Sequence, residues 1–367
     1  MTPAPAATPA PGSPGQSWPA LLAALSRGEA LPHPDVVWAM TEIMSGSAGP
    51  APLAAFLIAL RAKGETAGEV AALVSVMLEF ATPLDVSDDV RSRAVDTCGT
   101  GGDGSHYVNL STMAAFVVAG AGVPVIKHGN RAASSACGSA DLLGELGVVA
   151  DLPAAGVAAC LETAGAAFCF APAFHPAMRH VGPVRSAIGV PTVFNILGPL
   201  TNPGRPAAQA LGVADGRLAP IMAEVLAARG TRGLVFRGDD GVDELTPVTA
   251  ASVWVVREGT VRADRVDPVD LGVERVAPEA LRGADAVFNA AVARDLLAGR
   301  PGPVRDAVLL NAAASLVAAG GPSDAPVTEQ IAAALPRAAE SIDSGAAADA
   351  LARWVTASQK AATDLPA

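Results

Sequence analysis

Lysine is scarce in this chain: Lys63, Lys127 and Lys360 are the only three. Arginine does not restore the balance. The 25 basic residues face 36 acidic ones and leave a formal net charge of −11. A chain this acidic is a poor partner for nucleic acid, whose phosphates need clustered cations. Cysteine is nearly as rare, at four residues with no CxxC spacing. Cys98, Cys137, Cys160 and Cys169 therefore read as free buried thiols of a cytoplasmic protein, not as a zinc site. Long hydrophobic runs are missing too. The stretch from Met113 to Ile126 is interrupted by Gly120, Gly122 and Pro124, and a membrane span needs roughly 20 apolar residues. The N-terminus has neither a basic region nor a continuous apolar core, so no signal peptide is expected. Residues 1–16 are Pro- and Ala-rich and carry no side-chain charge. They read as a disordered tail.

The chain is 51% hydrophobic and 17% charged over 367 residues. It is long enough for a large core and two domains, and its abundant alanine favours helices. From residue 17 to 81 four helical patterns follow one another, SWPALLAALSRG, HPDVVWAMTEIMSG, APLAAFLIALRAKG and ETAGEVAALVSVMLEFA. Pro83 and the polar DVSDDV mark the exit, so a small helical domain is placed at 17–88. Residues 89–367 read as an α/β domain with a central, mostly parallel sheet, in which strand-like and helical segments alternate. GVPTVFNILGPLTNP, at 189–203, is rich in turn signals. SVWVVREGTVRADRV alternates about Glu258-Gly259 as a hairpin does.

Two motifs stand out. In AVDTCGTGGDGSHYVNLST, small apolar residues of a buried strand lead to Gly99, Gly101, Gly102 and Gly104, and then to an apolar helix. Glycines there let backbone bend or touch a ligand, and the free N–H groups of a helix start suit phosphate. Asn109, Ser111 and Thr112 add donors, and Ser111 can also ligate a hard cation. Ser111 and Thr112 occupy the ordinary place of capping hydroxyls. KHGNRAASSACGSADLLGELG repeats the strand–turn–helix plan with Lys127, His128, Asn130 and Arg131 in its turn. Two such turns suit a ligand that carries phosphate at more than one point. A third segment, GDDGVDELTP, crowds Asp239, Asp240, Asp243 and Glu244 into six positions. Magnesium, a hard ion bound by oxygen, would relieve that repulsion.

GTGGD, NLST and KHGNRAASS, in this order, resemble the anthranilate phosphoribosyltransferase family over nearly the whole chain after residue 17. The resemblance implies a nucleoside phosphorylase/phosphoribosyltransferase-like fold, with the helical domain completed by helices near 175–205. It implies transfer of the phosphoribosyl group of 5-phosphoribosyl 1-diphosphate to the amine of anthranilate, in tryptophan biosynthesis. Phosphoribosyl diphosphate would be bound by Gly99, Gly102, Asp103, Tyr107, Asn109, Leu110, Ser111 and Thr112. The second turn would add Lys127, His128, Gly129, Asn130, Arg131, Ala132, Ala133, Ser134, Ser135 and Ser139. The resemblance assigns anthranilate to Gly99, Asn130, His175, Met178 and Arg185, and magnesium to Ser111, Asp243 and Glu244. No general base is expected, because an aromatic amine is already neutral at pH 7. A homodimer through the helical domain is implied, with room for contact with a separate anthranilate synthase.

The sequence departs from the family at Tyr107, the only tyrosine, which stands where threonine is usual. A pyrimidine nucleoside phosphorylase has a similar fold, but KHGN and the Asp243-Glu244 pair favour the phosphoribosyltransferase. A non-catalytic, nucleic-acid-binding relative would be basic and would lack those carboxylates.

Overall fold

The computed structural model describes residues 16–132 and 136–364, which divide into two compact units. Residues 1–15 of the expected tail lie outside the described residues. Gln16 is described, and its amide donates to the Pro34 carbonyl at 3.1 Å. Elements are numbered in chain order.

The first unit takes Met1–Phe80 and Pro176–Phe194. Its helices are α1 (Trp18–Ser26), α2 (His33–Ser45), α3 (Pro50–Lys63), α4 (Ala67–Glu79) and α10 (Gly182–Ile188). Leu53, Phe56, Leu57 and Leu60 of α3 are buried at the helical period, so one face of the helix makes the core. Gly46 ends α2 in the left-handed region, at φ 79°, where a side chain is strained. Thr66 and Glu69 form a capping box at the start of α4. Glu69 also accepts from the Leu31 amide at 2.9 Å and from Lys63 Nζ at 2.7 Å. Burial pushes this carboxyl up, but the bonds from Leu31, Lys63 and Thr66 outweigh it and hold it below the usual carboxylate range.

The second unit takes Ala81–His175 and Asn195–Ala367. Its described strands are β1 (Val95–Gly99), β2 (Val125–Gly129), β3 (Ala166–Phe170), β4 (Ala208–Gly212), β5 (Arg232–Gly238), β6 (Ala251–Arg257) and β7 (Thr260–Val266). They form one sheet in the order β3-β2-β1-β4-β5-β6-β7. The first five strands in that order run parallel, and β6 and β7 add an antiparallel edge. This is the mostly parallel sheet expected from the alternating pattern. β1 to β4 are buried at nearly every residue, as strands covered on both faces must be.

α5 (Asp88–Arg93) precedes β1, and between the strands run α6 (Leu110–Gly120), α7 (Ser139–Glu145), α8 (Ala154–Ala164), α9 (Ala171–Phe174), α11 (Phe194–Leu200) and α12 (Leu218–Ala228). The chain ends in α13 (Ala286–Leu297), α14 (Pro303–Gly320), α15 (Val327–Asp343) and α16 (Ala346–Asp364). The apolar α6 packs against α14 and α16, with Phe116 edge-on to Trp354 at 6.1 Å. The turn-rich reading of 189–203 needs correction, because α11 lies inside it. Its Phe194, Ile196, Leu197 and Leu200 are buried. The carbonyls at its end are taken up by side chains, Gly198 by His128 and Pro199 by Gln209, which offsets the loss of helical bonds around Pro199.

The sheet order reverses between β1 and β4. In open α/β sheets the crevice outside the carboxyl ends of the strands at such a point is the usual ligand site.

Candidate active site

β1 ends at Gly99 and β4 at Gly212, directly opposite one another in register. The loop after β5 crosses here. A methyl group on Gly99 would overlap the Asp243 carboxylate, and one on Gly212 would overlap the Asp243 main-chain carbonyl. Both strands thus end in glycine where a carboxylate-bearing backbone comes close. Gly101, Gly102 and Gly104 follow with φ of 66°, 79° and 71°, the left-handed conformations that glycine adopts without penalty. Asp103 closes this turn on itself, accepting from the Ser105 amide at 3.1 Å and the Ser105 hydroxyl at 2.8 Å.

Helix α6 starts at Leu110 with Asn109 as its N-cap, yet Asn109 makes no capping bond. Its amide donates instead to the Cys137 carbonyl at 2.9 Å. Ser111 and Thr112 are not caps either; they sit within the first turn. The Ser111 hydroxyl accepts from Lys127 Nζ at 3.3 Å. Leu110 is fully buried, so it faces the core and not the loop.

Asp243 accepts from the Gly101 amide at 2.7 Å, and Glu244 from the Ser111 amide at 3.3 Å. The two carboxylates therefore share the N–H groups of the glycine turn and the helix start. Burial, then the charge of Asp103, push the Asp243 carboxyl up to about 7. Burial, then Asp243, push Glu244 well above the usual carboxylate range. Asp239 and Asp240 are placed elsewhere. Asp239 pairs with Arg265, and Asp240 accepts from the Val242 amide at 3.3 Å within its turn.

Lys127, 2% exposed, sits on β2 and donates to the Thr97 carbonyl of β1 as well as to Ser111 of α6. Asp141 fastens the turn after β2, accepting from the Ala132 and Gly138 amides at 2.9 Å each. Gly138 is required there, because a side chain would overlap the backbone of Arg131 and Ala132. Arg131 lies 5.6 Å over the Phe170 ring. Ala133, Ser134 and Ser135 lie outside the described residues.

His128 and His175 have ring centroids 5.1 Å apart. Each bonds a carbonyl at 3.0 Å, His128 through Nδ1 to Gly198 and His175 through Nε2 to Thr201. A carbonyl only accepts, so these nitrogens carry the protons. Burial pushes His128 down to about 3 and His175 down to about 4; both are neutral at pH 7. Met178 and Arg185 belong to the first unit. Arg185 lies on α10, 5.6 Å over the Phe194 ring.

A cavity of about 290 Å³ gathers fourteen of the expected residues: Gly99, Asp103, Tyr107, Asn109, Ser111, Thr112, Lys127, His128, Gly129, Asn130, Arg131, Ser139, Asp243 and Glu244. Gly102, Leu110, Ala132 and His175 do not line it. Tyr107 is half-buried, and burial, then Asp240 and Asp103, push its phenol up to about 12. Cys98, Thr100, Ser105, His106 and Cys137 line the cavity without having been anticipated. Gly212, Asn289 and Asn311 were also missed, and only their long-range contacts reveal them. A larger groove of about 580 Å³ lies along α8 and α16, lined by four alanines and by Thr163, Thr356, Arg353, Lys360 and Asp364. None of the residues of the two motif turns or the Asp243-Glu244 pair lines it.

Residues 91–348 match the model described as "Glycosyl transferase family, a/b domain", and residues 19–81 the one described as "Glycosyl transferase family, helical bundle domain". The chain is 64% identical to an anthranilate phosphoribosyltransferase of Frankia alni over 360 residues, covering 94% of this chain and 98% of the relative. It superposes on the crystal structure of the Thermus thermophilus anthranilate phosphoribosyltransferase with a TM-score of 0.85 and 43% identity, covering 92% and 99% of the two chains. The Saccharomyces cerevisiae anthranilate phosphoribosyltransferase, solved in complex with PRPP and Mg, gives a TM-score of 0.81 and 26% identity, covering 94% and 99%.

Proposed function

The chain belongs to the anthranilate phosphoribosyltransferase family, and from that membership we infer its reaction and the residues that carry it. It transfers the phosphoribosyl group of 5-phosphoribosyl 1-diphosphate to the amine of anthranilate. The products are N-(5-phosphoribosyl)anthranilate and diphosphate, in the second step of tryptophan biosynthesis from chorismate. The observation that carries the residue assignment is the convergence of the glycine turn, the start of α6, Lys127 and the Asp243-Glu244 pair on one cavity.

Diphosphate leaves from C1 as positive charge grows on the ribose ring. Charge developing on the leaving group calls for preorganised donors. The remaining N–H groups of the glycine turn, the hydroxyls of Ser111 and Thr112, and Lys127 serve in that role. The second turn, from His128 to Ser139, holds the remaining phosphate and ribose. Asp243, Glu244 and Ser111 would hold magnesium. A buried carboxylate pair, with Asp243 raising Glu244 and Asp103 raising Asp243, fits a cation. Substrate oxygens and water would complete the coordination. When bound, the ion would supply charge neutralisation at the departing diphosphate.

Anthranilate is assigned to Gly99, Asn130, His175, Met178 and Arg185, with Arg185 as the partner of its carboxylate. Its neutral amine attacks C1, and orientation of the two substrates supplies much of the rate. We also propose a homodimer, which Ile58, 41% exposed on the apolar α3, supports; light scattering tests it. Four free thiols support a cytoplasmic setting. Contact with an anthranilate synthase is tested by co-purification.

The decisive assay is loss of anthranilate fluorescence on adding phosphoribosyl diphosphate and magnesium. Magnesium-dependent loss is expected, abolished in Asp243→Ala/Glu244→Ala. Arg185→Ala should raise the anthranilate KM. No turnover by the native protein at saturating substrates would overturn the assignment.

A further inference from the structure

Two asparagines far along the chain, neither anticipated from the sequence, are buried at 1% exposure on the C-terminal helices. Asn311 lies on α14. Its Oδ1 accepts from the Leu245 amide at 3.1 Å, and its Nδ2 donates to the Leu245 carbonyl at 2.8 Å. Nδ2 donates also to the Ala307 carbonyl at 2.9 Å. One side-chain amide thus reads both polar groups of the residue that follows Glu244. Asn289 lies on α13. Its Oδ1 accepts from the Ala284 amide at 3.0 Å, and its Nδ2 donates to Asn109 Oδ1 at 2.9 Å. Asn109 in turn donates to the Cys137 carbonyl, so the chain of bonds crosses from α13 through the start of α6 to the second turn. The segment that Asn289 anchors also pairs with the glycine loop. The Val108 amide donates to the Leu281 carbonyl at 3.0 Å, and the Gly283 amide to the His106 carbonyl at 2.8 Å.

An ionised aspartate in place of Asn311 would face the Leu245 and Ala307 carbonyls with no proton to give. Each loop leaves its strand through a turn with glycine at positive φ, Gly101, Gly102 and Gly104 in one and Gly241 in the other. We propose that Asn311 and Asn289 are positioning residues for phosphoribosyl transfer. Asn311 sets the loop that carries Asp243 and Glu244, and Asn289 sets the phosphate loop at Asn109 and the turn it contacts. This rests on the roles given to those loops above. The two residues divide the work, so their loss has separable consequences. An Asn311 variant weakens the hold on the divalent cation. An Asn289 variant weakens the hold on phosphoribosyl diphosphate.

The test uses the full chain and the near-isosteric Asn311→Asp and Asn289→Asp, with Asn311→Leu and Asn289→Leu beside them. Circular dichroism and melting establish which variants fold, and the aspartates carry the test if the leucines do not. Manganese binding is followed by electron paramagnetic resonance with phosphoribosyl diphosphate present. Phosphoribosyl diphosphate binding is followed by calorimetry at saturating magnesium, and amide exchange is read at Leu245 and Ala284. Native protein that binds neither ligand would overturn the assigned reaction before any variant is considered. If native protein binds both, Asn311→Asp should weaken manganese about tenfold, the equivalent of about 1.4 kcal/mol, and leave the anthranilate KM unchanged. Asn289→Asp should weaken phosphoribosyl diphosphate by a similar factor. Each should speed exchange only at its own loop. Equal changes in every constant, a loss of melting temperature alone, or no change would overturn the proposal.

Discussion

Replacing Gly212 by alanine tests how the carboxylate loop is placed. The added methyl group would overlap the Asp243 main-chain carbonyl. Gly212 is locked between β1 and β5, so the loop must yield and not the strand. Restoring van der Waals contact requires the loop to retreat by roughly 1–2 Å. Overpacking of this kind costs about 1–3 kcal/mol, which a chain of this size survives. Misplacement by about 1 Å at a reacting centre can cost on the order of 100-fold in rate. Gly212→Ala should therefore fold, melt a few degrees lower, and turn over anthranilate about 100-fold more slowly at saturating magnesium. Gly144→Ala is the control. It lies inside α7 with open space around it, and alanine there favours the helix by up to about 1 kcal/mol. Fluorescence turnover and thermal melts of the two variants decide the matter. Near-native turnover and magnesium dependence in Gly212→Ala would refute the claim that this contact fixes Asp243.

Other consequences follow from buried charge. With native pKa values pushed down to about 3 and about 4, His128 and His175 stay neutral while the unfolded chain takes up protons near pH 6.5. Their contribution is complete above about pH 6.5 and falls with pH, by about 1.4 kcal/mol per unit for each ring. Imidazole NMR signals of these two residues should not titrate between pH 8 and 5; a midpoint near 6.5 in either would contradict the geometry. In the helical unit, Glu69→Ala removes the capping box and leaves Lys63 buried without its ion partner. It should cost about 3–5 kcal/mol in urea unfolding. A loss below about 1 kcal/mol would show that the pair behaves as a surface ion pair.

The strand–turn–helix plan of the α/β unit was legible because it is local. Apolar strands, glycines at positive φ and an apolar helix lie within about twenty residues of one another, and the fold that such alternation implies is a small set. The carboxylate crowd of GDDGVDELTP was legible for a similar reason, and the choice of Asp243 and Glu244 within it came from the family resemblance. Asp239 and Asp240 belonged to the same crowd, and nothing local separates them from the other two. Their separation comes from Arg265 and the turn at Val242, which the fold brings to them. The capping role of Ser111 and Thr112 did not hold. Their position near a helix start was right, but Asn109 is the N-cap and Lys127 approaches Ser111 from another strand.

What stayed hidden depends on chain segments that meet only in the folded state. Gly212 looks like an ordinary strand residue, and its necessity comes from Asp243 passing over it. Asn311 is separated from Leu245 by 66 residues, and Asn289 from Asn109 by 180. Both asparagines stand on alanine-rich helices, where a lone polar residue reads as solvent-facing. Burial reverses that reading. An amide at 1% exposure is tolerated only when its bonds are made, so each such residue marks a place where helix and loop must meet in one geometry. Most of the cavity-lining side chains could be anticipated from local motifs, because a phosphate-bearing ligand calls for particular residue types. The residues that hold those side chains in place answer to the fold, and become visible only with the long-range contacts in hand.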